Sequence, residues 1–450
     1  MHIVERTLSL PVAPANRGLL AHLGRALEFR LGGDAVPIRF VITRSDPEHY
    51  ECEVGLIERA EKVAWGGGGL FEFRKRASEA TDRFVVVLIV PTGVGAEIGG
   101  HAGDAGPVAR MLAEACDVLI THPNVVNASD INELPGNALY VEGSILTRLL
   151  MGVVGLQPVR SNRVISILHA HESEALVNAA VNAVNAARAS YGLNCPKIVL
   201  VDRGFVMRSE YNVSGRASGE ILQFRDLYNI LTAERGKFDA VAISSVISVP
   251  PAFHQQYFDK AGEMVNPWGG VEALLTHSVS SLFNVPSAHS PMFESEQIAN
   301  SDPGIVDPRM AAEAISLTFL QCVLKGLQRS PRLITAEDAI QGPGVLSARD
   351  VSCLVLPDRC VGLPTLAALE QGIPVIAVRD NQNLLRNDLT LLPWSPGQFH
   401  PVENYFEAAG VLAAIRAGVD PSALRRPLRP VQIDSGATTP VAKTHALLRR

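Results

Sequence analysis

The sequence predicts an α/β protein with mostly parallel, Rossmann-like sheets and a small N-terminal α+β lobe. Three observations point there. From Phe84 onward, short aliphatic runs recur (FVVVLIV, DVLITHP, ALYVEG, VISILHA, KIVLVD, FDAVAISSV, CLVLP, PVIAV), each continuous instead of alternating, as in strands covered on both faces. Between several of them lie helical patterns, and strand–helix alternation implies right-handed crossovers and a mostly parallel sheet. At 450 residues the chain exceeds one ordinary core, and the length prior allows about two to three domains.

Residues 1–80 differ from the rest of the chain: MHIVERTLSL, a helix near Gly18–Arg30 and the strand PIRFVITR precede the flexible WGGGG, which reads as a small α+β lobe. Residues 81–250 read as a Rossmann-like domain with a glycine-rich loop. There ESEALVNAAVNAVNAARASYG sets Leu176, Val177, Val181 and Val184 on one side and ends at Gly192, a C-cap residue. The stretch Gly204–Gly219 is polar and irregular, suggesting a long loop over a cleft or a domain crossing. Residues 251–415 read as a helical region plus a C-terminal βαβ unit. In it DPRMAAEAISLTFLQCVLKGLQ starts with Asp307 as N-cap and Pro308 at the first helical position, and is apolar nearly all round, as in a buried helix. Residues 416–450 read as an irregular tail, with a short basic end that is a solvated surface.

Composition excludes several function classes. Hydrophobic content of 47% with 19% charged residues is globular. A net charge of −6 carries no basic footprint for nucleic acid. No apolar stretch reaches the ~20 residues needed to span a bilayer, and the N-terminus lacks the pattern of a signal peptide, so no membrane partner is expected. The six cysteines lie far apart in apolar stretches without a CxxC, as reduced, buried residues of a cytoplasmic protein.

The chemistry-bearing residues collect in four stretches. PTGVGAEIGGHAGDAG has the strand–turn–helix context of an anion-binding loop, with Thr92, Gly93, Gly95, Gly99 and Gly100 free to bring N–H groups to a ligand. Its spacing is neither GxGxxG nor GxxxxGK[ST]; His101 and Asp104 stand where a lysine would be needed, and Asp104 could equally cap the helix starting near Pro107. THPNVVNASDINELPGNALYVEG opens at a strand C-terminus, where ligands bind in open α/β sheets, with His122, Asn124, Asn127 and Glu142 along it. An Asn-rich loop also forms Asx-turns with no function.

In VNPWGGVEALLTHSVSSLFNVPSAHSPMF, Asn266 and Pro267 make a helix start. Gly270, Ala273, His277, Ser280 and Asn284 form a small or polar stripe, and His289 comes next in an extended segment. Arg309 and Glu313 open the next helix. The last stretch, SCLVLPDRCVGLPTLAALEQGIPVIAVRDN, puts Gly362, Pro364 and Thr365 at a helix start. Cys360 before it reads as an inert buried thiol ahead of a nucleophile activated by the helix end. No HExxH, HxH…D array or CxxC frame is present to demand a metal; HAHE at 169–172 has no third ligand close by, so a divalent ion would need long-range assembly, and the cofactor stays unknown.

These motifs carry two resemblances. The 352–381 unit resembles the C-terminal nucleotide-binding half of two-domain glycosyltransferases, although Arg359 and Cys360 stand where those enzymes carry an acidic residue. PTGVGAEIGGHAGDA, THPNVVNA, NALYVEG, NPWGGVEALLTH, SAHSP and CVGLPTLAALEQGIPVIAV together resemble one family of long bacterial proteins known only under a domain-of-unknown-function label, over about residues 80–380. That resemblance implies one shared site and no particular reaction.

The residue chemistry supports an enzyme acting on a small polar metabolite that bears a carboxylate or phosphate. In this reading His101 or His122 is the general acid/base, oriented by Asp104, and His277 and His289 complete the cleft. Lyase or hydrolase chemistry suits the set, since neither a dinucleotide fingerprint nor a GxSxG elbow is present. A nucleotide-sugar-dependent transferase and a non-catalytic metabolite-binding protein are the alternatives, and the apolar composition is compatible with a homo-oligomer.

Overall fold

Most aliphatic runs with no polar alternation form strands sealed on both sides; KIVLVD does not, because Lys197–Val201 is an edge strand with Leu200 50% exposed. In the computed structural model, which describes residues 1–13, 18–33, 35–58, 69–202, 204–259, 263–428 and 430–431, every residue of Val85–Leu88, Val351–Pro357 and Val375–Val378 is buried. These strands sit in a six-stranded sheet in the order Phe399–Val402, Val375–Val378, Val351–Pro357, Val85–Leu88, Val118–Thr121, Ala138–Tyr140, parallel at each pairing. Helices Gly106–Glu114, Gly143–Leu150, Leu363–Gln371 and Tyr405–Arg416 come after strands of this sheet.

A ten-stranded sheet carries the remainder and is mixed, which differs from the mostly parallel expectation. Lys197–Val201, Val164–His169, Ala240–Ser248 and Ser287–Met292 pair in parallel. From Val206–Tyr211 outward the sheet turns antiparallel, through Ala217–Leu222, His2–Pro11, His49–Glu58 and Ala35–Ser45. The physical source of the difference is the segment read as an irregular loop over 204–219. It folds as an antiparallel hairpin, Val206–Tyr211 with Ala217–Leu222, whose alternating polar residues suit strands with one face toward water. Through that hairpin the N-terminal strands join the central sheet, with Ile3 opposite Ile221.

Helix Glu174–Tyr191 forms as expected, capped by the Ser173 hydroxyl and ending at Gly192 in left-handed geometry. The continuous helix expected from Asp307 does not form. Ala311–Ala314 and Leu320–Arg329 are separate, and the Leu320 N–H donates to Thr318 Oγ1 at 3.3 Å, so a local hydroxyl restarts the second piece. A 3-10 turn at Pro421–Leu424 stands where no element was expected; WGGGG up to residue 68 and residues 432–450 lie outside the described residues. All six cysteines are buried and unpaired. No helix among the described residues is long and apolar enough to cross a membrane.

Helix Gly269–Phe283 packs on the ten-stranded sheet and against helix Gly143–Leu150, beside a cavity. Its apolar residues Val271, Leu274, Leu275, Val279 and Leu282 join the core of Ile3, Met207 and Phe224. Its start lies so close to strand Ala217–Leu222 that a Cβ on Gly270 would stand 2.1 Å from Ala217 O, so only glycine permits the approach. Asn266 Oδ1 accepts from the N–H groups of Trp268 and Gly269 at 3.0 and 3.3 Å and so fixes the entry to this helix.

Candidate functional site

Strand C-terminal ends leave their last carbonyls and the adjoining loops free to face a ligand. The ends of Val85–Leu88, Val118–Thr121, Ala138–Tyr140 and Val351–Pro357, together with those of Ala240–Ser248 and Ser287–Met292, open onto one cavity of about 370 Å³. Its wall from helix Gly269–Phe283 consists of Gly269, Glu272, Ala273, Thr276, His277 and Ser281. This stripe is rotated relative to the one read from the sequence. Gly270 faces Ala217, Ser280 Oγ meets Ser287 Oγ at 2.8 Å and Asn284 Oδ1 accepts from Arg148, while Ala273 and His277 do face the cavity.

Two imidazole–carboxylate pairs flank that stripe. His277 Nδ1 lies 2.7 Å from Glu142 Oε1, and the imidazole keeps 16% exposure into the cavity while the carboxylate keeps 2%. The sequence NALYVEGS explains this local geometry. Glu142 leaves the strand as the N-cap of helix Gly143–Leu150, where its Oε2 accepts from the N–H groups of Ser144 and Ile145 at 3.0 and 3.2 Å and from the Ser144 hydroxyl. Gly143 supplies the clearance: a Cβ there would stand 2.9 Å from His277 Cε1. Burial raises the Glu142 pKa, but the charge and hydrogen bond of His277 and the Ser144 donors outweigh it and hold the carboxyl down at about 2.

The second pair is His289 Nδ1 with Glu272 Oε1 at 2.8 Å. His289 Nε2 is 2.8 Å from Ser245 Oγ, which also lies 3.2 Å from Met207 Sδ. The set has the outline of a Ser–His–Glu triad, yet Ser245 is fully buried within strand Ala240–Ser248 and is not part of the cavity wall. It positions His289, and His289 in turn orients the 27% exposed Glu272 carboxylate toward the cavity.

The other histidines are engaged differently. His122 lines the cavity, but its Nε2 accepts the Val90 N–H at 3.1 Å and burial lowers its pKa to about 4, so it is a neutral imidazole. His101 lies outside that wall. Its Nδ1 meets Tyr257 Oη at 2.7 Å, burial lowers its pKa to about 4, and with Gly95, Gly100 and Arg309 it lines a separate pocket of about 200 Å³. Asp104 does not orient a histidine side chain and does not cap helix Gly106–Glu114. Its Oδ1 accepts the Gly99 N–H at 2.8 Å, closing the glycine-rich turn on itself, and burial raises its pKa to about 7.

Most glycines of that turn are architectural. Gly93, Gly95 and Gly99 have φ of +71°, +64° and +88°, and Gly93 packs on Ala217 and Gly270. Asn124 Nδ2 donates to Val90 O and Gly99 O at 2.9 and 2.8 Å, and Asn127 Nδ2 to Tyr140 Oη at 2.8 Å, so both spend their amides inside the protein. Asn124 and Asn127 nonetheless line the cavity, as do Thr92, Cys360 and Thr365. Thr365 Oγ1 donates to Cys360 O at 2.8 Å, and burial pushes the Cys360 thiol well up, so it is held as an un-ionised thiol. Arg309 pairs with Asp307 at 3.1 Å and Glu97 at 3.4 Å, outside the large cavity.

Several wall residues were not singled out from the sequence: Arg39, Arg148, Arg216 and Glu272. Arg216 is fully buried, 3.6 Å from Glu5 Oε1 and in contact with Glu53, while Arg39 Nη1 donates to Glu5 Oε2 at 3.0 Å. Glu313, also in the wall, accepts the Ala102 N–H at 2.6 Å, and desolvation raises its pKa to about 7. Among the described residues no three His, Cys, Asp or Glu side chains group as metal ligands. The one available signal for the arginines was their type: a long cation inside a strand-like stretch, as in PIRFVITR, is buried only with a partner.

The chain matches the family described as "Protein of unknown function (DUF3326)" over residues 85–425. It is 35% identical over 341 residues to an uncharacterized lipoprotein of Synechococcus sp., covering 75% of this chain and 92% of that protein. No solved structure matches. The matched span contains the parallel six-stranded sheet and the helix bearing His277, and the chain belongs to this family of unknown function.

Proposed function

We propose that this chain is an enzyme that moves a proton on a small carboxylate- or phosphate-bearing metabolite, in a lyase or hydrolase reaction, with His277 as its acid/base group. The carrying observation is the His277–Glu142 pair: an imidazole on a cavity wall, 2.7 Å from a buried carboxylate whose second oxygen is locked at a helix N-terminus. Such a carboxylate fixes the ring's orientation and stabilises the imidazolium formed when Nε2 takes a proton. Glu272, held by His289, is a second proton acceptor on the other flank of the same helix face. A cavity of about 370 Å³ suits a small metabolite.

The test is a thermal-shift screen of carboxylates and phosphates, with mass analysis of what each stabilising compound becomes. The wild-type protein is expected to convert at least one of them, and His277→Gln to bind it while turning over about 100-fold more slowly. Conversion at the wild-type rate by His277→Gln, or recovery of every stabilising compound unchanged, would sink this reading. The second outcome leaves a metabolite-binding protein.

The transferase reading keeps one supporting observation, that Gly362 and Thr365 at the start of helix Leu363–Gln371 share this cavity. Saturable binding of a sugar nucleotide, lost in Thr365→Trp, would favour it. A Rossmann-like character for the parallel six-stranded sheet, a cytoplasmic location and homo-oligomerisation complete the proposal. Six buried free thiols support the location; recovery in a membrane fraction with an attached lipid would overturn it.

A further inference from the structure

A buried carboxyl that meets neutral donors holds its proton more readily than one beside a cation. In the cavity wall, Glu142 and Glu272 each face an imidazole. Glu313 differs. Among the described residues its Oε1 accepts from the Ala102 N–H at 2.6 Å and from Asn266 Nδ2 at 3.3 Å, and its carboxyl also bonds the Tyr257 hydroxyl. The Asn266 amide is fixed, because its Oδ1 is engaged by the N–H groups of Trp268 and Gly269. Its Nδ2 therefore faces both Glu313 and Tyr257 Oη, the latter also at 3.3 Å.

Tyr257 joins Glu313 to a second space. It is fully buried, and its Oη lies 2.7 Å from His101 Nδ1. His101 lines the pocket of about 200 Å³, whose wall includes the 59% exposed Glu97 side chain and the 39% exposed Leu384, so that pocket opens to water. Hydrogen bonds thus link the pocket to the cavity through one phenol. When Glu313 is ionised it only accepts, so the Tyr257 hydrogen points to it and His101 donates to Tyr257 from Nδ1. Desolvation, and then the charge of Glu272, raises the Glu313 pKa to about 7, so this carboxyl exchanges a proton near neutrality. Burial holds the phenol well above its ordinary range, so Tyr257 passes a proton on without ionising. Asp104 acts on Tyr257 from one side, and Arg309 and Asp307 act on His101 from the other.

We propose that Glu313 supplies protons to the cavity and is reloaded from the second pocket through His101 and Tyr257. A hydronium ion in that pocket gives a proton to His101 Nε2 and leaves as water. The Nδ1 proton passes to Tyr257 Oη, and the phenol's own proton passes to the Glu313 carboxylate. One proton has then crossed, the phenol is restored, and the neutral imidazole carries its hydrogen on Nε2 until exchange with water returns it to Nδ1. The proposal rests on reading the cavity as the place where a proton is moved, and adds the source of that proton.

Time-resolved infrared spectroscopy of the full-length protein after a light-triggered pH drop, from about 8 to about 6, tests it without a substrate. The carbonyl band of a protonated carboxyl is expected to rise in the wild type and to be missing in Glu313→Gln. In Tyr257→Phe and in His101→Gln it should rise at least about tenfold more slowly. Because either variant can fail to fold, the 15N shifts of His101 in the wild-type protein at pH 8 give a second reading, and the hydrogen is expected on Nδ1. A band that survives in Glu313→Gln, a rise in folded Tyr257→Phe or His101→Gln within about twofold of wild type, or a bare Nδ1 at pH 8 overturns the route. None of these results touches the reading of His277, which fails only when stabilising metabolites are returned unconverted or His277→Gln keeps full turnover.

Discussion

Glu142 illustrates how one side chain serves fold and site together. It caps a helix with one oxygen and faces His277 with the other. Its carboxyl, held at about 2 in the fold, lies below its unfolded value, so its stabilisation is full above the unfolded pKa and is lost as pH falls toward about 2. Glu142→Gln is therefore expected to cost on the order of 3 kcal/mol at pH 7 and far less at pH 2, as chemical unfolding at the two pH values would read. An equal loss at both would mean that packing, not charge, sets the contribution. Glu142, His277 and His289 were recognisable in the sequence because acids and imidazoles next to strand ends are conspicuous. Arg216 was not, since Glu5 and Glu53, which permit its burial, come from strands His2–Pro11 and His49–Glu58 far back in the chain.

At the scale of elements, the approach of helix Gly269–Phe283 to the sheet decides the shape of the cavity. Its glycines allow backbone contact with Ala217 and with Thr92. Gly270→Ala would drive a methyl group against the Ala217 carbonyl, and a loss of about 1–3 kcal/mol is expected, with weaker binding of any cavity ligand. A thermal melt unchanged by this substitution would show that the helix can shift without cost. The amphipathic period of this helix was legible, since its core residues Val271, Leu274, Leu275 and Leu282 are buried as read. Which neighbouring stripe met the cavity was not, because small and polar residues lie on both sides of it and the sheet's hairpin covers one of them. That hairpin was itself obscured: polar alternation over 206–222 looks like a loop until an antiparallel partner strand is present.

At the scale of the molecule, the pH dependence of stability reflects opposed sets of carboxyls. Asp104 and Glu313 are raised to about 7, in both cases first by desolvation. A carboxyl whose folded pKa exceeds its unfolded one favours the fold fully at low pH, and that contribution disappears as pH rises through about 7. Glu313→Gln is thus expected to melt higher than wild type at pH 8 and at the same temperature at pH 4. Melting curves across this range check it, and a wild-type-like profile in the variant would place the titration elsewhere.

The sequence by itself determined the α/β class of the protein and the strand edge at which its cavity opens. Continuous aliphatic runs mark strands covered by neighbouring layers, and loops after parallel strands gather at one edge, so an α/β fold with a cavity at the strand ends was set by local pattern. Tertiary structure alone decided the mixed character of the large sheet and which histidines face the cavity. It also decided that Arg216 is buried beside Glu5 and Glu53. Those outcomes depend on contacts between residues hundreds of positions apart: Ile3 with Ile221, Glu5 with Arg216, Glu142 with His277. Each imidazole's environment is set by desolvation and by the partner on its second nitrogen, and neither property is carried by the residue's own neighbours in the chain.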